Sequence, residues 1–323
     1  MKKILITRRL LRSCEDKAKE IFDANFNLND ELYSQQKLIE LSKGYDGILS
    51  SLTDKLDAET ISKLPDTIKI ISNFAVGFGN IDLEAAKNKG IAVTNTPDVL
   101  TDATAEIGVL LILGACRRAS EGIEGAREGG WKWSADYLIG KQLTGARLGI
   151  LGMGRIGQAV AIRAKSFGLK IHYHNRRQLR SEIEDNLSAT YWSNINSMLE
   201  NVDILSIHVP HTPATFHLLN GRRLKCLKKT AFIINTARGE IIDEDALTRM
   251  LRAGQIAGAG LDVYENGRNI NPRLKSLKNV LLLPHMGSAT TESRIEMGER
   301  VIINIKAFLD GHRPPDQVLP HMI

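Results

Sequence analysis

Short apolar runs alternate along the chain with longer stretches whose apolar residues recur at helical spacing. Lys2 to Thr7 reads as a first strand and Cys14 to Phe22 as a helix. Gly47 to Ser50 and Ile68 to Ser72 read as buried strands, with a short helix from Asp57 to Lys63 between them. Asn80 to Lys89 has helical spacing, and the glycine stop at Gly90 opens a strand to Thr94. A long apolar helix is predicted from Asp102 to about Arg117 and a second from Glu121 to Arg127. Gly129-Gly130-Trp131-Lys132-Trp133 then breaks the pattern. From Arg147 a new alternating series begins, with strands near Leu148–Leu151, Lys170–His174, Ile204–His208, Ala231–Asn235, Gly258–Val263 and Val280–Leu283. A last amphipathic stretch, Thr291 to Leu309, has the length of a long helix and stops at Asp310-Gly311, before Pro314-Pro315.

Alternating strands and helices argue for an α/β protein with parallel sheets covered by helices. The second series holds about six strands, the number of a complete dinucleotide-binding unit. Its glycine-rich turn sits near mid-chain, so the first hundred residues form an α/β unit of their own. The terminal helix could pack back onto that unit, which makes it discontinuous. The expected division is 1–99 with 291–323 for a substrate-binding domain, and 100–290 for a dinucleotide-binding domain.

With 323 residues, 43% apolar and 25% charged, the composition is that of a soluble globular protein. No apolar run approaches a membrane span. Met1-Lys2-Lys3-Ile4-Leu5-Ile6 stops being apolar at Thr7-Arg8-Arg9, so it reads as a strand and not a signal peptide. Cys14, Cys116 and Cys226 are odd in number and widely spaced, which points to reduced thiols in a cytoplasm. The net charge of +6 comes from scattered basic residues without interleaved aromatics, so it favours attraction of small anions over nucleic-acid binding. His172, His174, His211 and His217 lack metal-ligand spacing and read as structural or surface residues.

Gly152-x-Gly154-x-x-Gly157 follows a predicted strand and opens a predicted helix. Glycines at that spacing permit a tight turn, close approach to a pyrophosphate and close helix–strand contact, with helix amides facing the phosphates. The next strand ends in Asn175-Arg176-Arg177, where an acidic residue would hold the ribose hydroxyls of NAD. Two guanidinium groups and no carboxylate favour the 2′-phosphate of NADP(H), with NAD(H) as the other candidate. Arg238 lies in a polar turn after an apolar strand, where a fixed cation can grip a carboxylate through paired hydrogen bonds. His285 also follows a strand, between Pro284 and the turn-forming Gly287, and histidine suits proton exchange near neutrality. Taken alone, each of these two residues would read as a surface arginine and a structural histidine. Ser50, Ser51 and Leu52 come after a strand of the first unit and could line a pocket wall.

Together these segments resemble the D-isomer-specific 2-hydroxyacid dehydrogenases, most of all the bacterial glyoxylate/hydroxypyruvate/2-ketogluconate reductases. The resemblance runs through Val76-Gly77-Phe78-Gly79-Asn80-Ile81-Asp82, Thr101 to Glu106, the glycine fingerprint, His208-Val209-Pro210, the Arg238 segment, Gly260-Leu261-Asp262-Val263 and the segment Leu283 to Thr290. It implies two Rossmann-like domains and NADPH-dependent reduction of a small keto acid. Arg238 would bind substrate carboxylate and carbonyl, His285 would donate a proton, and the backbone at Val76 and Gly77 would hold the carboxylate. Thr104, Arg155, Ile156, Val209, Pro210, Thr215, Thr236, Ala237, Asp262 and Gly287 would meet the cofactor. The stretch from about 101 to 145, with Trp131, Trp133 and Tyr137, would be the arm of a homodimer; simple packing of those aromatics is the other reading.

One departure stands out. The family carries a glutamate five residues after the position of Asp262, then a proline; here Gly267 and Arg268 occupy those places. Loss of that anion disfavours the protonated histidine. Glu265 could substitute if the segment were extended, although it would sit about 6–7 Å back along the strand. Asn266-Gly267 is also a turn signal that would bend the chain. The alternative function is therefore a cofactor-sensing binding protein of dehydrogenase fold, with weak or lost catalysis.

Overall fold

The computed structural model describes residues 1–319, so positions 320–323 of the expected substrate-binding segment lie outside the described residues. In chain order the strands are β1 (Lys3–Ile6), β2 (Asp23–Phe26), β3 (Gly47–Ser51), β4 (Ile70–Phe74), β5 (Ala92–Thr94), β6 (Arg147–Leu151), β7 (Lys170–His174), β8 (Thr190–Tyr191), β9 (Ile204–Ile207), β10 (Phe232–Asn235), β11 (Gly258–Leu261), β12 (Val280–Leu282) and β13 (Gln317–Val318). They divide between two compact units, Met1–Leu100 with the chain from Ser288 onward, and Thr101–Gly287.

The first unit holds a six-stranded sheet in the order β13-β5-β4-β3-β1-β2. All pairings are parallel except the last strand, which runs antiparallel to β5 with Gln317 opposite Thr94. The sheet is therefore parallel, as expected, apart from this one short edge strand. The edge strand β2 was not legible because its residues, Asp-Ala-Asn-Phe, are exposed or half-buried and carry no apolar run. The helix Thr291–Leu309 lies against β4 and the helix Arg12–Ile21. Thr290 caps it by accepting from the Ser293 amide at 3.2 Å. Ser72 Oγ donates to its Val301 carbonyl at 3.4 Å. A Cβ on Gly298 would overlap the sulfur of Cys14, so the helix approaches as closely as it does because that position is glycine.

The second unit holds a seven-stranded parallel sheet ordered β12-β11-β10-β9-β6-β7-β8. The order reverses at β6, so a crevice opens beyond the carboxyl ends of β6 and β9. Side chains alternate between faces along each strand. Leu205, Ile207 and Ile233 fill one apolar layer, while Ile204, Phe232 and Ile234 fill the other. That two-sided burial explains why the central strands read as continuous apolar runs. Truncating the fully buried Ile233 to alanine would cost roughly 2–5 kcal/mol. Among the described residues no helix is long and apolar enough to cross a membrane.

Candidate active site

The turn after β6 is built from backbone. Gly152 has φ +98°, and a Cβ there would stand 2.7 Å from the Val209 amide nitrogen and 2.8 Å from the His208 carbonyl carbon. A Cβ on Gly157 would overlap the carbonyl oxygen of Gly152. Gly154, the N-cap of the helix Arg155–Ser166, faces open space. Two glycines thus close the turn and the third leaves its outer side clear for a ligand. Arg155 and Ile156 open the helix, whose first amides point into that space.

Asn175 closes the turn from β7, its Oδ1 accepting from the Met153 amide at 2.7 Å. Its side chain therefore shapes the glycine loop as well as standing beside it. Arg176 and Arg177 are exposed and form no ion pair with another described residue. Val209 is half-buried and Pro210 exposed. Thr215 Oγ1 donates to the Pro210 carbonyl at 2.6 Å and accepts from the Thr212 amide at 2.8 Å, so it fastens its own turn. His208 makes a 2.8 Å hydrogen bond with Ser206, and burial pushes its imidazole down to about 4.

Three neighbouring strands end on the remaining chemistry. Arg238 follows β10, Asp262 follows β11 and His285 follows β12, and the outer two of these strands end about 10 Å apart. Asn235 shapes the first of these turns. Its Oδ1 accepts from the Ala237 amide at 2.9 Å and its Nδ2 donates to the Arg238 carbonyl at 2.9 Å. Burial lowers the Arg238 pKa, yet a guanidinium remains charged at any ordinary pH. Its Nη1 donates to the Ala237 carbonyl at 2.6 Å. The Thr236 hydroxyl beside it is buried with no hydrogen-bond partner.

Asp262 holds the turn that carries His285. Its carboxylate accepts from the amides of Met286 and Gly287, both at 2.8 Å, and from that of His285. Burial nevertheless raises its pKa above the usual carboxylate range. His285 itself is exposed and has φ +60°, a left-handed conformation that three successive hydrogen bonds hold in place. A Cβ on Gly287 would stand 3.3 Å from Asp262 and 3.4 Å from the buried Thr104, which brings those three residues together. Tyr264 adds a further tie, its hydroxyl donating to the carbonyls of Leu283 at 2.6 Å and Leu261 at 3.1 Å.

The segment after Tyr264 turns, with the Gly267 amide donating to the Tyr264 carbonyl at 3.1 Å. Gly267 has φ +56°, and a Cβ there would meet nothing. Both oxygens of Glu265 serve partners other than His285: Oε1 accepts from His217 Nε2 at 2.7 Å, and Oε2 from the Glu244 amide at 3.2 Å. The extended segment needed for Glu265 to stand in at His285 is therefore absent, because the Asn266-Gly267 turn forms instead. His217, read as a structural or surface residue, is a partner in this arrangement.

In the first unit, Ser51 ends β3 and Leu52 follows it, and Val76 and Gly77 follow β4. An asparagine network fixes both loops. Asn80 Nδ2 donates to the Ser51 carbonyl at 3.1 Å, Asn73 Nδ2 to the Gly77 carbonyl at 3.0 Å, and Asn95 Nδ2 to the Val76 carbonyl at 2.7 Å. The Ser51 amide donates to the buried Asp54 at 2.7 Å, and Leu52 is exposed. Asn73, Asn80 and Asn95 were not singled out from the sequence; asparagine at a strand end or in a loop was the available signal.

Residues 109–287 match the sequence profile of the D-isomer specific 2-hydroxyacid dehydrogenase NAD binding domain. A glyoxylate reductase of Thermococcus litoralis is 41% identical over 321 residues, covering 98% of this chain and 96% of that protein. The chain belongs to the D-isomer-specific 2-hydroxyacid dehydrogenases. A solved D-isomer specific 2-hydroxyacid dehydrogenase from Polaromonas is 40% identical, with a TM-score of 0.92 over 98% of this chain and 99% of that one. An NADPH-dependent glyoxylate/hydroxypyruvate reductase from Sinorhizobium meliloti, solved with NADP and malonate, is 33% identical, with a TM-score of 0.86 over 98% of this chain and 96% of that one.

As a member of this family the dehydrogenase is a nicotinamide-dependent oxidoreductase acting on a CH–OH group. Its own residues fit that cofactor. The Gly154 side of the loop is open, helix amides face it, and the orphaned Thr236 hydroxyl offers a hydrogen bond that the protein leaves unused.

Proposed function

We propose that this dehydrogenase uses NADPH to reduce small 2-keto acids to D-2-hydroxy acids, with glyoxylate and hydroxypyruvate as substrates and 2-ketogluconate as a further candidate. The observation that carries the reading is the series of three neighbouring strands ending on Arg238, Asp262 and His285. A carboxylate next to a carbonyl needs a fixed cation and a proton donor that both reach it. The cofactor, when bound, supplies hydride to the C2 carbonyl carbon. Arg238 grips the substrate carboxylate and stabilises the negative charge that develops on the carbonyl oxygen. Protonated His285 gives that oxygen its proton. Asp262 keeps the His285 turn in place, and Ser51, Leu52, Val76 and Gly77 are the substrate-binding candidates of the first unit.

Support for NADPH over NADH is the pair Arg176 and Arg177, exposed and without a carboxylate partner where a 2′-phosphate would lie. Support for a homodimer is the run of exposed aromatics, Trp131, Trp133 and Tyr137. The three free thiols suit a cytoplasmic enzyme. The deciding experiment is a steady-state scan with glyoxylate, hydroxypyruvate, 2-ketogluconate and pyruvate, each with NADPH and with NADH. Turnover of glyoxylate or hydroxypyruvate, faster with NADPH, is expected. No oxidation with any keto acid would sink the reductase reading, and equal or better efficiency with NADH would sink the cofactor assignment.

A further inference from the structure

One cluster beside the active-site turns takes part in neither the glycine loop nor the reacting groups. It consists of His217, Glu244 and Glu265. Glu244 and Glu265 form a reciprocal pair: the Glu244 amide donates to Glu265 Oε2 at 3.2 Å, and the Glu265 amide donates to Glu244 Oε2 at 3.0 Å. Two carboxylates meet at this ring, and His217 Nε2 supplies the donor that offsets them, 2.7 Å from Glu265 Oε1. The histidine is itself held on two further sides. Its amide donates to the Glu240 carbonyl at 2.8 Å, and its ring stacks on Phe216 at 4.1 Å between centroids. It adopts φ +46°, a conformation that a non-glycine residue keeps only where its surroundings enforce it.

The ring touches the Arg238 turn directly. Gly239 rests so closely on the main chain of Tyr264 and Glu265 that a Cβ would overlap both. The next turn runs beside the His217 segment, with Leu219 bonding the Ile241 carbonyl at 3.0 Å and Asp243 bonding the Leu219 carbonyl at 3.2 Å. Any shift of Glu265 therefore moves Gly239, and with it Arg238.

We infer that His217 is a positioning residue for Arg238: through Glu265 it locks the 238–244 turn in the shape that presents the guanidinium to a substrate carboxylate. The inference rests on the reading of Arg238 as a carboxylate clamp. A paired guanidinium–carboxylate contact tolerates little displacement, so loosening the turn weakens substrate binding first. The glycine loop and the helix behind it lie outside the 238–244 turn, so cofactor binding changes far less.

The test compares wild type with His217→Ala and His217→Gln, the latter keeping a side-chain N–H donor. The readouts are affinity for oxalate, an unreactive carboxylate of glyoxylate size, in the presence of NADP, affinity for NADP alone, and hydrogen exchange of the amides from 239 to 244. His217→Ala is expected to weaken oxalate binding and to speed exchange, each by about tenfold, with NADP affinity within about twofold of wild type. His217→Gln is expected to recover both to within about threefold. The inference is overturned if oxalate does not bind the wild type, if exchange or oxalate affinity is unchanged in His217→Ala, or if NADP affinity falls in step. It is equally overturned if His217→Gln melts like wild type but recovers no oxalate affinity. Failure of the reductase reading looks different: oxalate binds the wild type, yet no 2-keto acid is turned over.

Discussion

The turn after β6 and the turns after β10, β11 and β12 lie at the same end of one sheet but are built in opposite ways. In the first, the backbone makes the site, and Gly152 and Gly157 are required because a Cβ would strike main-chain atoms. In the second, side chains make the backbone. Asn235 fastens the Arg238 turn, Asp262 gathers three amides around His285, and Tyr264 ties β11 to β12. Sites of the first kind announce themselves in sequence, since only one residue type fits. Sites of the second kind depend on pairings between distant positions.

Gly239 tests this contrast most severely, because it is a backbone contact set among side-chain-held turns. Gly239→Ala is expected to lower stability by more than about 3 kcal/mol and kcat/KM by at least about 100-fold, measured by denaturant unfolding and steady-state assay. Gly154→Ala is the matched control: its Cβ meets open space, so stability should hold while cofactor affinity falls. Equal stability losses in the two variants would erase the distinction.

Asp262→Asn comes next. It replaces an acceptor of three amides with a group that also donates, so one amide is left facing a donor. A fall in kcat of about tenfold to 100-fold is expected, with little change in KM for the keto acid. A change confined to KM would show that Asp262 does not act through His285.

How much was readable follows from the same contrast. The Gly152-x-Gly154-x-x-Gly157 turn, the central strands and the terminal helix were legible, because buried apolar runs, helical spacing and glycine requirements are local signals. Arg238 and His285 were legible only through their places after strands. The edge strands β2, β8 and β13 were not, since short or half-exposed strands carry no apolar run. Glu265 is not legible in this way: its partner His217 lies 48 residues away, and the Asn266-Gly267 turn decides which way the carboxylate goes.

Gly267→Glu sharpens the comparison by adding a side chain where none reaches. The added anion would favour protonated His285 and extend activity towards higher pH, by about threefold above neutrality, while the φ of +56° costs about 1 kcal/mol of stability. The pH–rate profile checks this, and an unchanged basic limb would mean that no anion is needed at this position.

A separate effect concerns His208. Burial lowers its pKa from 6.5 to about 4, so the folded protein holds it neutral while the unfolded chain takes up a proton. Its contribution to stability is present above pH 6.5 and is lost as pH falls from there towards 4. Unfolding measured across that range should be less pH-dependent in His208→Gln; an identical slope would refute the assignment.

The central claim is that Arg238 grips the substrate carboxylate, and Arg238→Lys tests it most directly by keeping the charge while removing the fork. A KM for glyoxylate raised by about 100-fold is expected, with affinity for NADPH unchanged. A KM equal to that of the wild type, or a matching loss of NADPH affinity, would contradict it.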